Sequence, residues 1–379
     1  MALVLNDEQT MLRDNARGFL AKNAPIAHLR ALRDNRDTDG FSRSLWKNFV
    51  EMGWAGILVP QDYGGLGLGH VEASVVMEEL GRTLTPSPFL STAILAATAI
   101  ARAGTDKQKE KHLPQIVAGE LIATLAVDET AKHHPERTAM PAARAGNGFK
   151  LNGAKTFVLD GHVANLLIVV GRTAGKAGDT TGLTLFLIDA SAPGVRIERT
   201  PTVDSHNAAR LTFEEVNVSA DNVLGKADAG WEILAGVLNV GRAALAAEMA
   251  GAGEEAFSRT VAYLKERKQF GKAIGEFQAL QHRAAHLYCE LEVTRSAVLK
   301  ALQTLDDSFD HAGAIVSVAK ARAGLSATLA VNEAVQMHGG IGMTDEFDIG
   351  LFMKRVRVCQ ELFGDSNFHA DRLARLNRY

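Results

Sequence analysis

The sequence has little cysteine and no excess of charge of either sign. Cys289 and Cys359 are the only two cysteines among 379 residues. Two thiols are too few for a disulfide framework and do not suit a four-thiolate metal site. Lys and Arg number 41 against 44 Asp and Glu, which leaves a net charge of −3. This balance disfavours a general electrostatic nucleic-acid binder, so we expect no nucleic-acid partner and no metal.

Long apolar runs and a targeting segment are missing as well. No run approaches the roughly 18 to 20 apolar residues that would span a bilayer. The start of the chain, Met1 to Thr10, carries Asp7 and Glu8 and does not show the basic-then-apolar order of a secretory signal. We therefore expect a cytoplasmic protein without membrane insertion.

Motifs of several familiar chemistries are absent or incomplete. The sequence contains no Gly-x-Ser-x-Gly elbow and no P-loop lysine motif, which removes support for acyl transfer by serine and for phosphoryl transfer. The run Gly65 to His70 imitates a dinucleotide fingerprint, but His70 replaces its third glycine and Pro60 precedes the turn. We interpret it as a tight loop, with Glu78 and Glu79 on the following helix as solvent or interface charges.

Two histidines also have a spacing that can bind metal. His282 and His286 lie four residues apart on a predicted helix, which places both rings on one face. The residues between them do not include the glutamate of the zinc-protease helix. We interpret both as structural or interface residues.

The hydrophobic pattern divides the chain into three zones. A helical pattern begins at Leu5, where Asn6 is a plausible N-cap and Gln9 can return the capping bond. From about Leu121 short apolar runs alternate with turn residues, and Asn152-Gly153 is a strong hairpin signal. The helical period returns at Trp231. The strands are predicted at 166–170, 183–188, 195–197 and 211–218.

These zones predict an α+β protein that is mostly α. The expected domains are an N-terminal helical domain (1–120), a central β-barrel or sandwich domain (121–230) and a C-terminal helical bundle (231–379). Antiparallel packing of long helices is the natural closure of the last zone.

Two helix ends in the last zone carry residues suited to a nucleotide. Arg267 to Ile274 combines two cations, an amide and the Phe270 ring before a glycine. Arginine binds pyrophosphate bidentately and phenylalanine stacks on adenine. Gln336 to Gly342 ends another helix with glycines that let a phosphate-bearing ligand approach the backbone. Each segment alone is typical of an ordinary helix end, and the two together suggest a dinucleotide site.

With these segments the sequence resembles the acyl-CoA dehydrogenase family along essentially its whole length. The matching segments, in the family's order and spacing, are 60–65, 213–216, 222–225, 267–271, 277–278 and 336–342. The resemblance implies an acyl-CoA dehydrogenase fold with a C-terminal four-helix bundle, assembled as a dimer of dimers with FAD at subunit interfaces. It also implies α,β-dehydrogenation of an acyl-CoA thioester, with electron-transferring flavoprotein as electron acceptor.

The resemblance assigns residues to the cofactor and the substrate. Leu125 to Thr130 matches the strand whose backbone holds the flavin ring, and Phe157 to Leu159 matches the strand behind it. Arg242 matches a helix arginine near the thioester end of the substrate. The residues implied for FAD are Arg267, Gln269, Phe270, Gln278, Gln336, Gly339 and Gly340.

The match breaks at the catalytic base, so the catalytic residue stays unassigned. Most members have a glutamate where this chain has Phe363, and a minority have it where this chain has Gly241. Asp365 is the first substitute and Glu361 the second, although a one-residue shift on a turn redirects the side chain and favours structural roles for both. The flavin strand departs too, over Asp128 to Pro135, and Leu159 replaces a threonine.

Three functions therefore compete, beside a fourth in which the flavin runs oxygenase or oxidase chemistry, as in relatives that share this fold. The first is a dehydrogenase subunit in an α2β2 heterotetramer whose related partner supplies the base, as in bacterial members that act on bulky thioesters such as steroid side chains. The second is a self-sufficient enzyme, for example a homotetramer, that uses a non-standard carboxylate. The third is a non-catalytic scaffold that kept the fold. The sequence does not reveal the acyl group or the number of FAD molecules bound.

Overall fold

The computed structural model describes residues 3–379. Met1 and Ala2 lie outside the described residues, so the expectation for Met1 to Thr10 is compared with the structure only from Leu3 onward. The order of elements is helical, then β, then helical. The predicted fold class is confirmed by this order.

Eleven α-helices are found within the described residues. They are α1 (Asp7–Asn23), α2 (Ile26–Asp34), α3 (Arg43–Glu51), α4 (His70–Thr83), α5 (Ala97–Ala103), α6 (Asp106–Val117), α7 (Trp231–Glu266), α8 (Gln278–Asp307), α9 (Gly313–His338), α10 (Ile349–Glu361) and α11 (Ser366–Leu376). A π-helical stretch, Phe89–Ala96, leads into α5.

The first helix begins where the capping signal predicts. The side chain of Asn6 accepts a hydrogen bond from the Gln9 backbone at 2.8 Å, and the Gln9 side chain accepts one from the Asn6 backbone at 3.0 Å. Together they satisfy two of the amide groups that a helix start leaves without a partner inside the helix.

The β zone forms two four-stranded sheets. The first has the order β1-β4-β5-β8, with β1 parallel to β4, and the second has the antiparallel order β2-β3-β7-β6. Their strands are β1 (Ala123–Ala126), β2 (Ala142–Ala145), β3 (Gly148–Leu159), β4 (Leu166–Arg172), β5 (Leu183–Asp189), β6 (Val195–Pro201), β7 (Asn207–Ser219) and β8 (Val223–Leu224). The Phe149 ring from β3 packs edge-on against Phe186 from β5 at 5.2 Å, which joins the sheets as a sandwich. A short hairpin, β9 (Lys268–Gln269) and β10 (Lys272–Ala273), follows α7.

The hairpin predicted at Asn152-Gly153 is wrong. Both residues lie inside β3, and the register against β7 shifts between Leu151 and Gly153, which marks a β-bulge. The turn between β2 and β3 is instead made at Gly146, whose φ is +56°. Asn-Gly tolerates positive φ at a bulge as well as in a turn, so the dipeptide signalled irregular backbone without specifying its type.

Contacts between Cα atoms divide the chain into two compact units. One consists of residues up to 31, 70–85 and 242–379, and the other of residues 32–69 and 86–241. In the first unit, α4 and α7 cross at two glycines: a Cβ on Gly81 would collide with the backbone of Glu248, and one on Gly251 with the backbone of Glu78. The second unit contains both sheets.

Two helices reach the length and apolar composition of a membrane span, although no such run stood out in the sequence. They are α7 and the stretch Gly313–Met343 that begins with α9. Of their most apolar windows, 83% and 56% of the residues are buried inside the protein. Small residues such as alanine make these helices apolar on most faces, as expected for core helices of a bundle.

Candidate functional site

Arg242 on α7 lies against the turn that follows α10. The side chain is 2% exposed, and its Nε donates a hydrogen bond to the carbonyl of Phe363 at 3.0 Å. Its guanidinium also lies over the ring of Phe368, 5.5 Å from the centroid. The structure therefore places Arg242, which the resemblance assigns to the thioester end of the substrate, in contact with Phe363, which occupies the family's base position.

Lys320 on α9 is buried beneath the same turn and forms hydrogen bonds to its backbone. Its Nζ donates to the carbonyls of Cys359, Gln360 and Gly364 at 2.8, 3.1 and 3.1 Å. The bonds to Cys359 and Gln360 satisfy carbonyls in the last turn of α10, which the helix itself leaves without partners, and the bond to Gly364 reaches the turn after it. Burial lowers the pKa of Lys320 to about 7.

The residue at the base position is an apolar side chain in a constrained backbone. Phe363 is 7% exposed and has a φ of +57°, and Gly364 after it has a φ of +104°. Positive φ is unfavourable for a residue with a Cβ, so the surroundings must hold it there. The contacts from Arg242 and Lys320 to this turn provide that constraint.

The two carboxylates proposed as substitutes have structural partners. Asp365 is the N-cap of α11, where its side chain accepts a hydrogen bond from the Phe368 backbone at 2.8 Å. Glu361 forms an ion pair with Arg357 one turn earlier, at 2.9 Å. These contacts support the structural roles favoured from the sequence.

The residues predicted to bind FAD lie at one end of the helical bundle and face outward. Tyr263, one turn before Arg267, stacks on His338 at 4.4 Å between ring centroids, and His338 directly precedes Gly339. This stack joins the ends of α7 and α9. The predicted FAD residues Arg267, Gln269, Phe270, Gln278, Gln336, Gly339 and Gly340 are all exposed.

The exposed groups at this end have the chemistry of a dinucleotide site. Phe270, with φ +53°, stands 92% exposed at the tip of the β9–β10 hairpin. Gly339 has a φ of +65°, and a Cβ added to it or to Gly340 would meet no atom within 4 Å. A guanidinium, three amides and open glycine backbone suit a pyrophosphate and an adenine. These residues therefore fit one end of FAD.

The two β segments assigned to the flavin ring are held together. The Thr124 hydroxyl donates to the Leu159 carbonyl at 2.6 Å, and the Thr156 amide donates to the Asp128 carbonyl at 2.7 Å. Lys155, fully buried, donates from Nζ to the Val127 carbonyl at 2.9 Å and to Glu129 at 2.7 Å. Burial lowers the pKa of Lys155, while the charge of Glu129 opposes that shift.

The side chains along these segments differ from the family's. The Asp128 carboxylate and Nδ1 of the buried His133 ring form a hydrogen bond of 2.9 Å. Leu159 has no hydroxyl. Of the predicted flavin strand Leu125 to Thr130, only Leu125 and Ala126 belong to β1, and residues 127–130 continue as irregular backbone. The acid and imidazole pair of Asp128 and His133 stands where the resemblance implies short polar residues.

Lys155 and Lys320 were not singled out from the sequence. Each occupies an inward position of an otherwise apolar pattern: Lys320 continues the buried stripe of Val316, Ala323 and Ala327 on α9. A lysine inside such a stripe indicates a buried ammonium group, which must find hydrogen-bond acceptors within the protein.

The other sequence candidates have ordinary surroundings. His286 lies 3.8 Å from Glu290, and no group of three or more potential metal-binding side chains is found among residues 3–379. Glu79 is 1% exposed and receives two hydrogen bonds from Arg17, at 2.9 and 2.7 Å. The interpretation of Glu79 as a solvent charge is wrong, because it is buried in an ion-pair network within one unit.

Three family models cover nearly the whole chain. The acyl-CoA dehydrogenase N-terminal domain matches residues 6–120, the middle domain residues 126–216 and the C-terminal domain residues 228–376.

Individual proteins are similar over most of their length. The mitochondrial isovaleryl-CoA dehydrogenase of Pongo abelii is 30% identical over 365 residues, covering 93% of this chain and 85% of that protein. The acyl-CoA dehydrogenase from Geobacillus kaustophilus superimposes with a TM-score of 0.90 over 100% of both chains at 29% identity. A variant of the Tcur3481-Tcur3483 steroid ACAD superimposes with a TM-score of 0.88 over 98% of both chains at 32% identity.

Proposed function

Because the chain belongs to the acyl-CoA dehydrogenase family, we propose that it is an FAD-dependent dehydrogenase subunit whose catalytic base comes from a related partner chain. Members of this family are oxidoreductases that act on a CH–CH group. The proposed reaction is the α,β-dehydrogenation of an acyl-CoA thioester in an α2β2 heterotetramer. We further propose an electron-transferring flavoprotein as electron acceptor and a cytoplasmic location.

The observation that carries the proposal is Phe363. It occupies the turn beside Arg242, where the family has its base, and its buried ring cannot accept a proton. Gly241, at the alternative base position, has no side chain. Asp365 caps a helix and Glu361 pairs with Arg357. Removal of a proton α to a thioester requires a base whose accepting atom comes within about 2.6–3.2 Å of the group that loses the proton. Because neither family position of this chain carries a base, we assign the base to another chain.

The proposed role of FAD rests on the exposed groups at the end of α7 and α9. Arg267 would pair with the pyrophosphate, Phe270 would stack near the adenine, and the Gly339-Gly340 backbone would approach the phosphates. When bound, the flavin supplies the hydride acceptor for the β carbon. Exposure of all these residues on one chain suits a cofactor that a second subunit covers.

Within the chain, Arg242 and Lys320 hold the turn that carries Phe363. Their bonds to the carbonyls of Phe363, Gly364 and the end of α10 fix this backbone. The Phe363 ring keeps water from that position without taking part in proton transfer. The similarity to a steroid ACAD named by two components supports a bulky acyl group and a partner chain as parts of this proposal.

Native mass and flavin content test the proposal. The chain is purified alone and after co-expression with a related chain that has a glutamate at the position equivalent to Phe363. We expect co-expression to give a complex of two copies of each chain, and we expect dehydrogenase activity only in that complex. An active homotetramer of this chain alone would contradict the proposal and favour a non-standard carboxylate. Failure to bind FAD in either preparation would favour a scaffold.

A further inference from the structure

The π-helical stretch Phe89–Ala96 forms hydrogen bonds beside both β segments that the resemblance assigns to the flavin ring, 125–130 and 157–159. All eight of its residues are buried, and it lies in the compact unit that contains both sheets. π-Helices are rare, are mostly limited to a single turn and are frequent at functional sites. The hydroxyl side chains of this stretch, Ser91 and Thr92, are 0% exposed, so they must bond to groups within the protein.

Thr92 satisfies the open edge of β1. This strand lies at the edge of its sheet, beside β4, so its other side faces no strand neighbour. The Thr92 hydroxyl accepts a hydrogen bond from the Ala123 amide at 3.1 Å and donates one to the Ala123 carbonyl at 2.9 Å. One side chain therefore takes the place of a strand partner two residues before the first segment begins at Leu125.

Ser91 holds the end of the second segment. Its hydroxyl donates to the Asp160 carboxylate at 2.7 Å, the shorter of its two contacts, since the Pro88 carbonyl lies at 3.2 Å. Asp160 directly follows 157–159, where the register of β3 against β7 shifts and the backbone is irregular. Phe157 and Asp160 have φ values of +53° and +52°. Positive φ at a bulky residue persists only where the surroundings fix it, and Ser91 supplies one such contact.

The two segments are also bonded to each other. The Thr124 hydroxyl donates to the Leu159 carbonyl at 2.6 Å, and the Thr156 amide donates to the Asp128 carbonyl at 2.7 Å. Two consecutive residues of the π-helical stretch therefore fix one segment each, and these cross-links carry the restraint from one segment to the other.

We propose that Ser91 and Thr92 are positioning residues that set the placement of the two segments predicted to hold the flavin ring. Their action is indirect: Thr92 acts through β1, and Ser91 through the Asp160 end of β3. Backbone groups hold a ring by hydrogen bonds that weaken steeply with distance and angle, so displacement of either segment lowers FAD affinity and changes the surroundings of the flavin. The link to FAD rests on the proposed function, whereas the placement of the segments does not.

Hydrogen–deuterium exchange of the full chain tests the placement without cofactor. Valine has nearly the shape of threonine and lacks the hydroxyl, so Thr92→Val should raise exchange over residues 123–128 by about tenfold or more. Ser91→Ala should do the same over residues 157–161. Thr92→Ser keeps the hydroxyl and should restore slow exchange. Thr98→Val is the matched control, because it removes a buried hydroxyl six residues further along, on α5, and it should leave both regions unchanged.

FAD affinity and the visible flavin spectrum, measured on the complex with the related chain, test the link to the cofactor. Thr92→Val and Ser91→Ala should each lower FAD affinity by about tenfold and shift the flavin band. Thr92→Ser and Thr98→Val should leave both as in the natural chain. Unchanged exchange over 123–128 in Thr92→Val, faster exchange spread evenly over the whole chain, or an unaltered flavin band in both variants would overturn the proposal. Activity of this chain without a partner would contradict the proposed function and leave the exchange results standing.

Discussion

Replacement of Phe363 by glutamate would place a carboxylate where the family has its base. The backbone of this turn is held by Arg242 and Lys320 through main-chain carbonyls, so the contacts that position it do not depend on the residue 363 side chain. Phe and Glu are both unbranched at Cβ and meet similar strain at the φ of +57° found there, so the substitution adds little. We expect Phe363→Glu to let this chain, reconstituted with FAD, oxidise acyl-CoA without a partner.

The size of the effect follows from what is removed and what is added. Loss of the buried phenyl ring should destabilise the chain by about 2 kcal/mol. The nearby Arg242 guanidinium offsets part of the desolvation of the new carboxylate. A positioned general base contributes about 10² to 10⁴ in rate, so at least about a hundredfold increase in flavin reduction is expected.

Phe363→Gln is the matched control, because glutamine has the shape of glutamate and cannot accept the proton. The assay is anaerobic flavin reduction by a panel of acyl-CoA thioesters, with urea unfolding to confirm that both variants fold. Equal rates for the glutamate and glutamine variants would refute the reasoning, since the position would then not be the missing base.

Three further predictions follow from individual contacts. Asp365→Ala should destabilise the chain by about 1 kcal/mol through loss of the α11 cap, whereas Asp365→Asn should be nearly neutral in urea unfolding; a loss of flavin reduction in folded Asp365→Asn would instead make Asp365 a base. Arg267→Ala should weaken FAD binding by about 10- to 100-fold in a fluorescence titration of the assembled protein, and Lys265→Ala, an exposed cation two residues earlier, should leave it unchanged. Because burial raises the pKa of Glu78 to about 7, its protonated form favours the folded state, and the stability it contributes below pH 4.5 is lost as pH rises through 7. Glu78→Gln should therefore raise the free energy of unfolding at pH 8 by no more than about 3 kcal/mol, measured by urea unfolding, and leave it unchanged at pH 4. An increase of the same size at both pH values would contradict this.

Hydrophobic periodicity and local capping predicted much of the fold. The Asn6 and Gln9 pair located the start of α1, and the apolar runs located β4 to β7, because each signal acts within a few residues. The Asn152-Gly153 prediction failed because a bulge and a turn use the same backbone freedom. Only the pairing of β3 with β7 decides between them, and that pairing is long-range.

The candidate site was predicted less completely. The resemblance assigns Arg242, the base position at Phe363 and the exposed residues predicted for FAD, but it does not show that Arg242 donates a hydrogen bond to the Phe363 carbonyl. Lys320 lies 39 to 44 residues from the carbonyls that it holds, a relation that no local pattern contains. The prediction of Glu78 and Glu79 as solvent or interface charges missed the burial of Glu79, because its partner Arg17 lies on α1 and the sequence of α4 alone does not contain that contact.

Anaerobic addition of acyl-CoA thioesters to the chain reconstituted with FAD, alone and in complex with a glutamate-bearing partner, tests the central claim most directly. The account predicts that the visible flavin band bleaches in the complex and persists in the chain alone. Bleaching in the chain alone, at a rate like that of the complex, would contradict it, because a base within this chain would then remove the proton.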